Sequence, residues 1–218
     1  MAGTESTPDD GPSSAPRAAR RPRRPRNADP HASTRVDILK SAARAFRRLG
    51  YHGATVEQIA TALRMKKGNL YYYFRNKEDI LFACHQYSLD RLLQLLDEVE
   101  RSGAPPDQQL RRLIDVFVHT ILDELHGTAL FLDLEALPPG HLRTVIVRRD
   151  QFDHGVRQIL ERGMATGVFA QSDSKLLAFA LLGAVNWIPR WFSPDGPATS
   201  QQIADAFADY FIAGLRQV

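Results

Sequence analysis

Hydrophobic residues recur every three or four positions along most of this chain, and no segment alternates apolar and polar residues as a strand would. Such spacing predicts amphipathic helices, and the glycines and prolines between them mark their ends. We expect a long helix that Asn76 caps and that ends before Gly103. Further helices are predicted at about residues 106–125, 127–136, 141–165, 173–192 and 199–216. The pattern therefore predicts an all-α fold.

Two short helices joined by a tight turn are predicted within residues 55–74. Thr55 and the glutamine three positions later have the spacing of a capping box, in which each side chain accepts a hydrogen bond from the other residue's backbone. A turn at residues 64–65 follows, and Leu70 and Phe74 then give the second helix an apolar underside. The inward residues of the first helix are Val56, Ile59, Ala60 and Leu63.

The other side of the second helix suits a DNA duplex. In a helix-turn-helix, the N-terminal part of the second helix enters the major groove. Lys67 can donate to guanine O6 or N7, the Tyr71 ring can contact a thymine methyl or a phosphate, and Gly68 allows a close approach. The side chains suited to phosphate oxygens are Tyr72, Tyr73 and Lys77. The alternative is a small helical subdomain whose tyrosines only cover its core.

Residues 36–82 resemble the DNA-binding domain of the TetR family of bacterial transcriptional regulators. They carry F-x-x-x-G-[YF] at residues 46–51, T-V-x-x-I-A from Thr55 and K-G-x-L-Y-x-[YH]-F-x-x-K-E from Lys67. Lys66 stands where the family often has serine or threonine, so we expect a weaker helix cap and stronger phosphate binding. The resemblance implies base-edge contacts from Lys67, Gly68 and Tyr71, and phosphate contacts from Thr55, Tyr72, Tyr73 and Lys77. With their neighbours in the motif, the predicted DNA-binding residues are Thr55, Lys66, Lys67, Gly68, Asn69, Tyr71, Tyr72, Tyr73 and Lys77.

Charge is distributed unevenly along the chain, whose net charge is only +3. Residues 34–83 hold ten lysines and arginines against four acidic residues, a net of +6. Residues 84–218 hold twelve against seventeen, a net of −5. A basic N-terminal part and an acidic C-terminal part are expected of a protein that binds a polyanion through one end.

The first 33 residues are rich in Pro, Ser, Ala and Asp, and they carry six arginines between Arg17 and Arg26. Because they have no apolar periodicity, we expect a disordered arm. Such an arm could lie along phosphates or enter a minor groove, or it could be only a solvated tail. It does not have the pattern of a secretion signal, because no apolar region follows the arginines.

Several classes of protein do not fit the sequence. One cysteine, Cys84, rules out an intramolecular disulfide framework and fits a reducing cytoplasm. The longest apolar run, residues 176–185, is too short to cross a bilayer, so we expect no membrane partner. The histidines of the second half lack metal-binding spacing, and neither G-x-S-x-G nor a P-loop occurs. We predict no cofactor, no metal site and no enzyme activity.

The last two predicted helices are unusually apolar. Residues 176–187 are hydrophobic on nearly every side. The second helix has a broad stripe formed by Ile203, Phe207, Tyr210, Phe211 and Leu215. Two such surfaces exceed what a small monomer should bury, which predicts a four-helix bundle across a twofold axis. The TetR resemblance likewise implies a homodimer on a palindromic double-stranded operator. Alternatively, both helices fill the core of a monomer.

An effector pocket is predicted between the long helix and its neighbours. Its candidate residues are Phe117, Ile121, Phe131, Leu134, Phe152, Val156, Asn186, Trp187 and Arg190. The aliphatic and phenyl residues among them could equally be plain core.

Residues 186–197 resemble a W-x-x-x-W-[YF]-x-P-x-G-P element of TetR-type regulators of fatty-acid, aromatic-acid and steroid breakdown, several of which respond to acyl-CoA thioesters. The resemblance implies a small hydrophobic effector such as an acyl-CoA, with Arg148, Arg149 or Arg157 available for its phosphates. Pro189 departs from the element and should end or kink the helix.

Together these features predict a ligand-responsive transcriptional regulator, in particular a repressor that a hydrophobic effector releases from its operator. Its predicted parts are an arm at residues 1–33, a three-helix helix-turn-helix domain at 34–83, and a helical effector-binding and dimerisation domain at 84–218. Two alternatives are a constitutive DNA-binding protein without an effector, and a helical scaffold that binds acidic partners or membranes through the basic arm.

Overall fold

The computed structural model describes residues 30–124 and 134–216, and the regular elements within them are all helical. The α-helices are α1 Pro30–Gly53, α2 Val56–Ala62, α3 Lys67–Tyr73, α4 Lys77–Arg101, α5 Pro106–His119, α6 Pro139–Ala165, α7 Ser174–Trp191 and α8 Ser200–Leu215. A π-helical turn at Thr120–Glu124 follows α5, and a 3₁₀ turn at Leu134–Ala136 precedes α6. The predicted all-α fold is confirmed.

Helices α1, α2 and α3 pack around a small apolar core. Phe46 of α1, Ile59 of α2 and Leu70 of α3 are completely buried in it. Burial of one such side chain contributes about 1.5–3 kcal/mol to stability. The predicted capping box opens α2: the Thr55 hydroxyl accepts from the Gln58 backbone N–H at 3.2 Å, and the Gln58 side chain accepts from the Thr55 N–H at 2.9 Å.

Two residues with positive φ direct the path of these helices. Gly50, at φ 70°, interrupts α1 shortly before its end, which explains the glycine of the F-x-x-x-G motif because side chains disfavour this conformation. Arg64 adopts φ 55° in the turn between α2 and α3, where the sequence predicts the turn. Such a φ is uncommon for a residue other than glycine.

Helix α4 connects the N-terminal helices with the rest of the protein. Asn76 caps it as predicted, since its side chain accepts from the Asp79 backbone N–H at 2.7 Å. The helix packs against α1 near its beginning and against α5 and α6 further along. The domain boundary predicted between residues 83 and 84 lies within this continuous helix.

The C-terminal helices extend the apolar core around α5. This helix packs against α4, α6 and, most extensively, α8. The Phe117 ring of α5 meets the Phe152 ring of α6 edge to face, with ring centres 5.3 Å apart. Helix α8 turns Ile203, Ala204 and Ile212 into this core. In the described part of the chain, no helix is long and apolar enough to cross a bilayer.

Two predicted helical segments differ from the structure. The segment predicted at 106–125 is α-helical only to residue 119. Of the segment predicted at 127–136, only the last three residues are described, and they form a 3₁₀ turn. Pro189 does not end α7, which continues to Trp191, where the Ile188 carbonyl accepts from the Phe192 N–H at 2.9 Å. Pro189 has no backbone N–H, so the helix lacks the hydrogen bond that this residue would otherwise donate to the preceding turn.

Candidate DNA interface and ligand cavity

Helix α3 buries one side and exposes the other. Leu70 is completely buried and Phe74, at its C-terminal end, is 4% exposed. On the outer side, Tyr71 is 44% exposed and Tyr72 is 76% exposed. Lys66 precedes the helix without a side-chain cap, as expected where a lysine replaces a hydroxyl residue. The packing therefore holds α3 firmly while its outer side remains accessible to a large partner.

Most residues of the predicted DNA-binding set are accessible. Those exposed to solvent are Thr55, Lys66, Lys67, Gly68, Asn69, Tyr71 and Tyr72. Tyr73 is half-buried, packs against the core, and meets the Tyr72 ring edge to face with centres 5.2 Å apart.

Lys77 has a structural role that the sequence analysis did not predict. Its ammonium group donates to the Tyr51 carbonyl at 2.8 Å and to the Ala54 carbonyl at 3.0 Å. The same group lies 4.3 Å from the centre of the Tyr51 ring, where a cation is attracted to the aromatic face. These contacts tie the start of α4 to the end of α1. They occupy two of the three donors of the ammonium group, so at most one donor is left for the phosphate contact that the sequence predicts.

Lys67 is paired with an acidic residue that the sequence analysis overlooked. Its ammonium group donates to the Glu57 carboxylate of α2 and lies 5.7 Å from the centre of the Tyr71 ring. The hydrogen bond from Lys67 lowers the pKa of the Glu57 carboxyl, and the bond to Glu57 raises the pKa of the Lys67 ammonium. Ten residues separate the partners, so no local periodicity could reveal the contact.

Gly68 lies in the first turn of α3 with open space around it. A Cβ atom built at this position meets no atom within 4 Å. Packing within the described part of the chain therefore does not require glycine here.

A cavity of about 400 Å³ lies between α4, α5, α6 and α7. Leu89 and Leu92 of α4 and Phe117 of α5 give it apolar walls. Its remaining lining residues are Ile146, Arg149, Asp150, Phe152, Asp153, Arg157, Phe179, Leu182, Gly183 and Asn186. A volume of this size is typical of small-molecule sites.

One face of α6 supplies the charged side of the cavity. Arg157 pairs with Asp153, and its guanidinium lies 5.5 Å from the centre of the Phe179 ring. Burial lowers the pKa of Arg149. The sequence analysis missed Asp150 and Asp153, although their spacing from the two arginines places all four on one side of a helix.

The structure brings only part of the predicted pocket together. Phe117, Phe152 and Asn186 line the cavity. Three others do not line it and instead lie in or against the core: Ile121, Leu134 and Val156. Trp187 is 63% exposed, and Arg190 lies over its ring at 5.8 Å from the centre. Phe131 lies outside the described residues.

Of the three arginines considered for phosphates, Arg149 and Arg157 line the cavity. Arg148 does not, because its guanidinium bonds Gln86 and Asp90 of α4. Within residues 30–124 and 134–216, no cluster of side chains has the composition of a metal site.

Comparisons with known proteins match both halves of the chain to one family. Residues 38–84 match the description "Bacterial regulatory proteins, tetR family". Residues 103–215 match "Tetracyclin repressor-like, C-terminal domain". The transcriptional repressor KstR2 of Mycolicibacterium smegmatis is 25% identical over 190 residues, which cover 85% of this chain and 92% of the relative.

Two crystal structures show the same fold at higher identity. The TetR family regulator PfmR of Thermus thermophilus is 32% identical, with a TM-score of 0.73, over 83% of this chain and 99% of that one. AibR in complex with isovaleryl coenzyme A and operator DNA is 30% identical, with a TM-score of 0.69, over 81% and 97% of the two chains. The chain thus belongs to the TetR family and is a helix-turn-helix DNA-binding transcriptional repressor, not an enzyme.

Proposed function

We propose that this repressor acts as a homodimer, binds a palindromic operator through the two copies of α3, and leaves DNA when an acyl-CoA thioester enters the cavity. The observation that carries the proposal is that α3 has one buried and one exposed side. Leu70 is buried in the core, whereas Lys67 and Tyr71 are exposed to solvent. Because its operator is genomic DNA, the protein would act in the cytoplasm.

The proposed contacts with DNA divide into two groups. Lys67 and Tyr71 would contact base edges, and Gly68 would let the backbone of α3 approach them. The proposed phosphate contacts are Thr55, Lys66, Asn69, Tyr72 and Tyr73, which position the protein without reading sequence. Lys77 holds α1 against α4 through its two hydrogen bonds to backbone carbonyls. At most one of its ammonium donors would then be available for a phosphate.

Exposed apolar residues on α7 and α8 support the homodimer. Leu176, Phe179, Trp187 and Trp191 recur at helical spacing on α7, and each is more than half exposed. Tyr210 of α8 is 76% exposed. A continuous apolar stripe of this kind marks an interaction surface on a monomer. Pairing the stripes of two subunits would build the predicted four-helix bundle and present two α3 helices about 34–36 Å apart, one turn of DNA.

The cavity supports a hydrophobic effector with one polar part. Leu89, Leu92 and Phe117 offer a site for an acyl chain, and α6 offers charged groups at the other side. The similar protein AibR binds isovaleryl coenzyme A and operator DNA, which favours an acyl-CoA thioester here as well.

Helix α4 offers the route from effector to DNA. It begins next to the helix-turn-helix and lines the cavity with Leu89 and Leu92. An effector that prefers a different position of α4 would change the spacing of the two α3 helices. Its effect on DNA binding cannot exceed its preference between the two arrangements.

The DNA-binding part of the proposal can be tested by selecting bound fragments from a random duplex library. We expect a near-palindrome with half-sites one helical turn apart. Tyr71→Ala should abolish preference for this sequence while size-exclusion chromatography still shows a dimer. Unchanged sequence preference in a competition assay would refute the assignment of Tyr71.

The effector part can be tested by adding isovaleryl-CoA to the protein–operator complex, with coenzyme A and isovalerate as controls. We expect the thioester alone to release the operator. If neither thermal melting nor operator binding responds to acyl-CoA thioesters or other small hydrophobic compounds, the protein binds DNA constitutively. If deletion of residues 55–77 leaves all partner binding intact, the protein is a scaffold.

A further inference from the structure

A hydrogen bond joins the helix-turn-helix directly to the end of α7. The guanidinium group of Arg47, on α1, donates to the backbone carbonyl of Phe192 at 3.1 Å, although 145 positions separate the two residues in sequence. The arginine side chain is half-buried. The contact therefore links the domain that carries α3 to the helix that carries most of the exposed apolar stripe.

The carbonyl belongs to the residue at which α7 ends. Phe192 donates its own N–H to the Ile188 carbonyl at 2.9 Å, and its backbone is extended. A turn follows, in which the Gly196 N–H donates to the Ser193 carbonyl at 2.9 Å. A cation beside the last carbonyls of a helix is favoured by the helix dipole as well as by the hydrogen bond. Arg47 therefore caps α7 from another helix.

This contact assigns part of the W-x-x-x-W-[YF]-x-P-x-G-P element a role outside the cavity. Asn186 at the start of the element lines the cavity, but Trp187 and Trp191 are 63% and 51% exposed. The Phe192 ring packs against the core, and its carbonyl accepts from Arg47. The end of the element thus contacts the helix-turn-helix domain.

We propose that Arg47 is a positioning residue for DNA recognition, because it fixes the orientation of α3 relative to the surface through which two subunits pair. The inference rests on the proposed function, since it needs the homodimer and an operator with two half-sites. Helix α1 already packs against α4. A second point of attachment restricts the rotation that one attachment leaves free. Trp191 of the apolar stripe directly precedes Phe192, so the bond to Arg47 lies at the border of the proposed dimer surface.

Arg47→Met tests this role on DNA, because it keeps the apolar stem of the side chain and removes the donors. We expect operator affinity to fall by about three- to tenfold, as loss of one hydrogen bond provides. The variant should also discriminate less against an operator with one extra base pair between its half-sites. Its dependence of log affinity on log salt should keep the wild-type slope, whereas loss of a phosphate contact lowers that slope by about 0.9.

Arg48→Met is the matched control, because it removes the same charge from the exposed neighbouring position. It should leave the preference for half-site spacing unchanged. A reduced salt slope with unchanged spacing preference in Arg47→Met would make Arg47 a phosphate contact and overturn the inference. Tighter operator binding by Arg47→Met would overturn it as well, because the bond would then favour an arrangement that does not fit the operator.

The spacing can also be measured without DNA. A nitroxide on Thr61→Cys, at an exposed position of α2, reports the distances between the two helix-turn-helix domains of a dimer by double electron–electron resonance. Cys84 is completely buried and should stay unlabelled. We expect a broader distance distribution in Arg47→Met than in Arg48→Met, and an intermediate width in Arg47→Lys, which keeps a donor. A monomer in size-exclusion chromatography would refute the proposed assembly, whereas a dimer of unchanged width would refute only the role of Arg47.

Discussion

The ammonium group of Lys67 donates a hydrogen bond to the carboxylate of Glu57, which joins the start of α3 to α2 on the exposed side of the helix-turn-helix. Both side chains remain accessible to solvent. In the proposed complex, Glu57 holds Lys67 in one position and adds a negative charge close to the phosphates. A contact of this kind weakens binding to arbitrary DNA while it favours a sequence that suits the fixed lysine.

Glu57→Gln should therefore tighten binding to nonspecific duplexes and reduce the ratio of operator to nonspecific affinity. We expect an increase in nonspecific affinity of about three- to tenfold at low salt, which becomes smaller as salt screens the charges. Fluorescence anisotropy with an operator duplex and a scrambled duplex measures both values. Glu78→Gln, in the first turn of α4, is the control for loss of one acidic charge. A ratio unaffected by Glu57→Gln would exclude a role in specificity.

Gly68→Ala tests whether close approach to DNA explains this glycine. The structure has room for the added methyl group, and alanine favours a helix by about 1 kcal/mol over glycine. We expect an equal or higher melting temperature together with weaker operator binding. Gly140→Ala is a matched control, because Gly140 occupies the same position in the first turn of α6 and also has open space. Operator affinity that survives Gly68→Ala would show that α3 approaches the bases less closely than we propose.

Lys77→Met should destabilise the protein rather than only weaken DNA binding. It removes two hydrogen bonds from a charged donor to carbonyls, so we expect the free energy of unfolding to fall by about 1–3 kcal/mol. Urea unfolding measures this change. Lys66→Met removes the same charge from an exposed position without a side-chain cap, and it should affect DNA binding alone. If the two variants lowered the salt dependence of operator binding equally and neither changed unfolding, the phosphate role predicted for Lys77 would be correct.

Cys84 should not react with thiol reagents in the native protein. The side chain is completely buried, and burial raises the pKa of its thiol to about 12. At pH 8 we expect no reaction with a disulfide reagent until urea unfolds the protein, after which one thiol per chain reacts. Rapid labelling of the native protein would contradict this burial.

The same shift predicts how Cys84 affects stability at alkaline pH. The unfolded thiol ionises above its ordinary pKa of 9.0, whereas the folded thiol stays neutral up to about pH 12. Its contribution to stability is therefore complete below pH 9 and decreases as the pH rises from 9 toward 12. Urea midpoints of the wild type and Cys84→Ala between pH 8 and 10.5 measure this contribution. The loss at high pH should be smaller in the variant.

The sequence by itself determined the helices, their caps and the helix-turn-helix. Each of these depends on neighbours within a few positions: the Thr55 capping box, the Asn76 cap, and Leu70 with Phe74 beneath α3. Hydrogen bonds and apolar spacing within one or two turns decide such features, and the sequence displays both directly.

Only the tertiary structure decided which groups meet across helices. Lys77 turns toward the carbonyls of Tyr51 and Ala54, and Lys67 toward Glu57, because packing brings together segments that are distant in sequence. The cavity was decided in the same way: Val156 and Ile121 have the apolar character of lining residues, yet they lie in the core. A helical period shows which residues share a face. The neighbouring helix that covers this face depends on the packing of the whole chain.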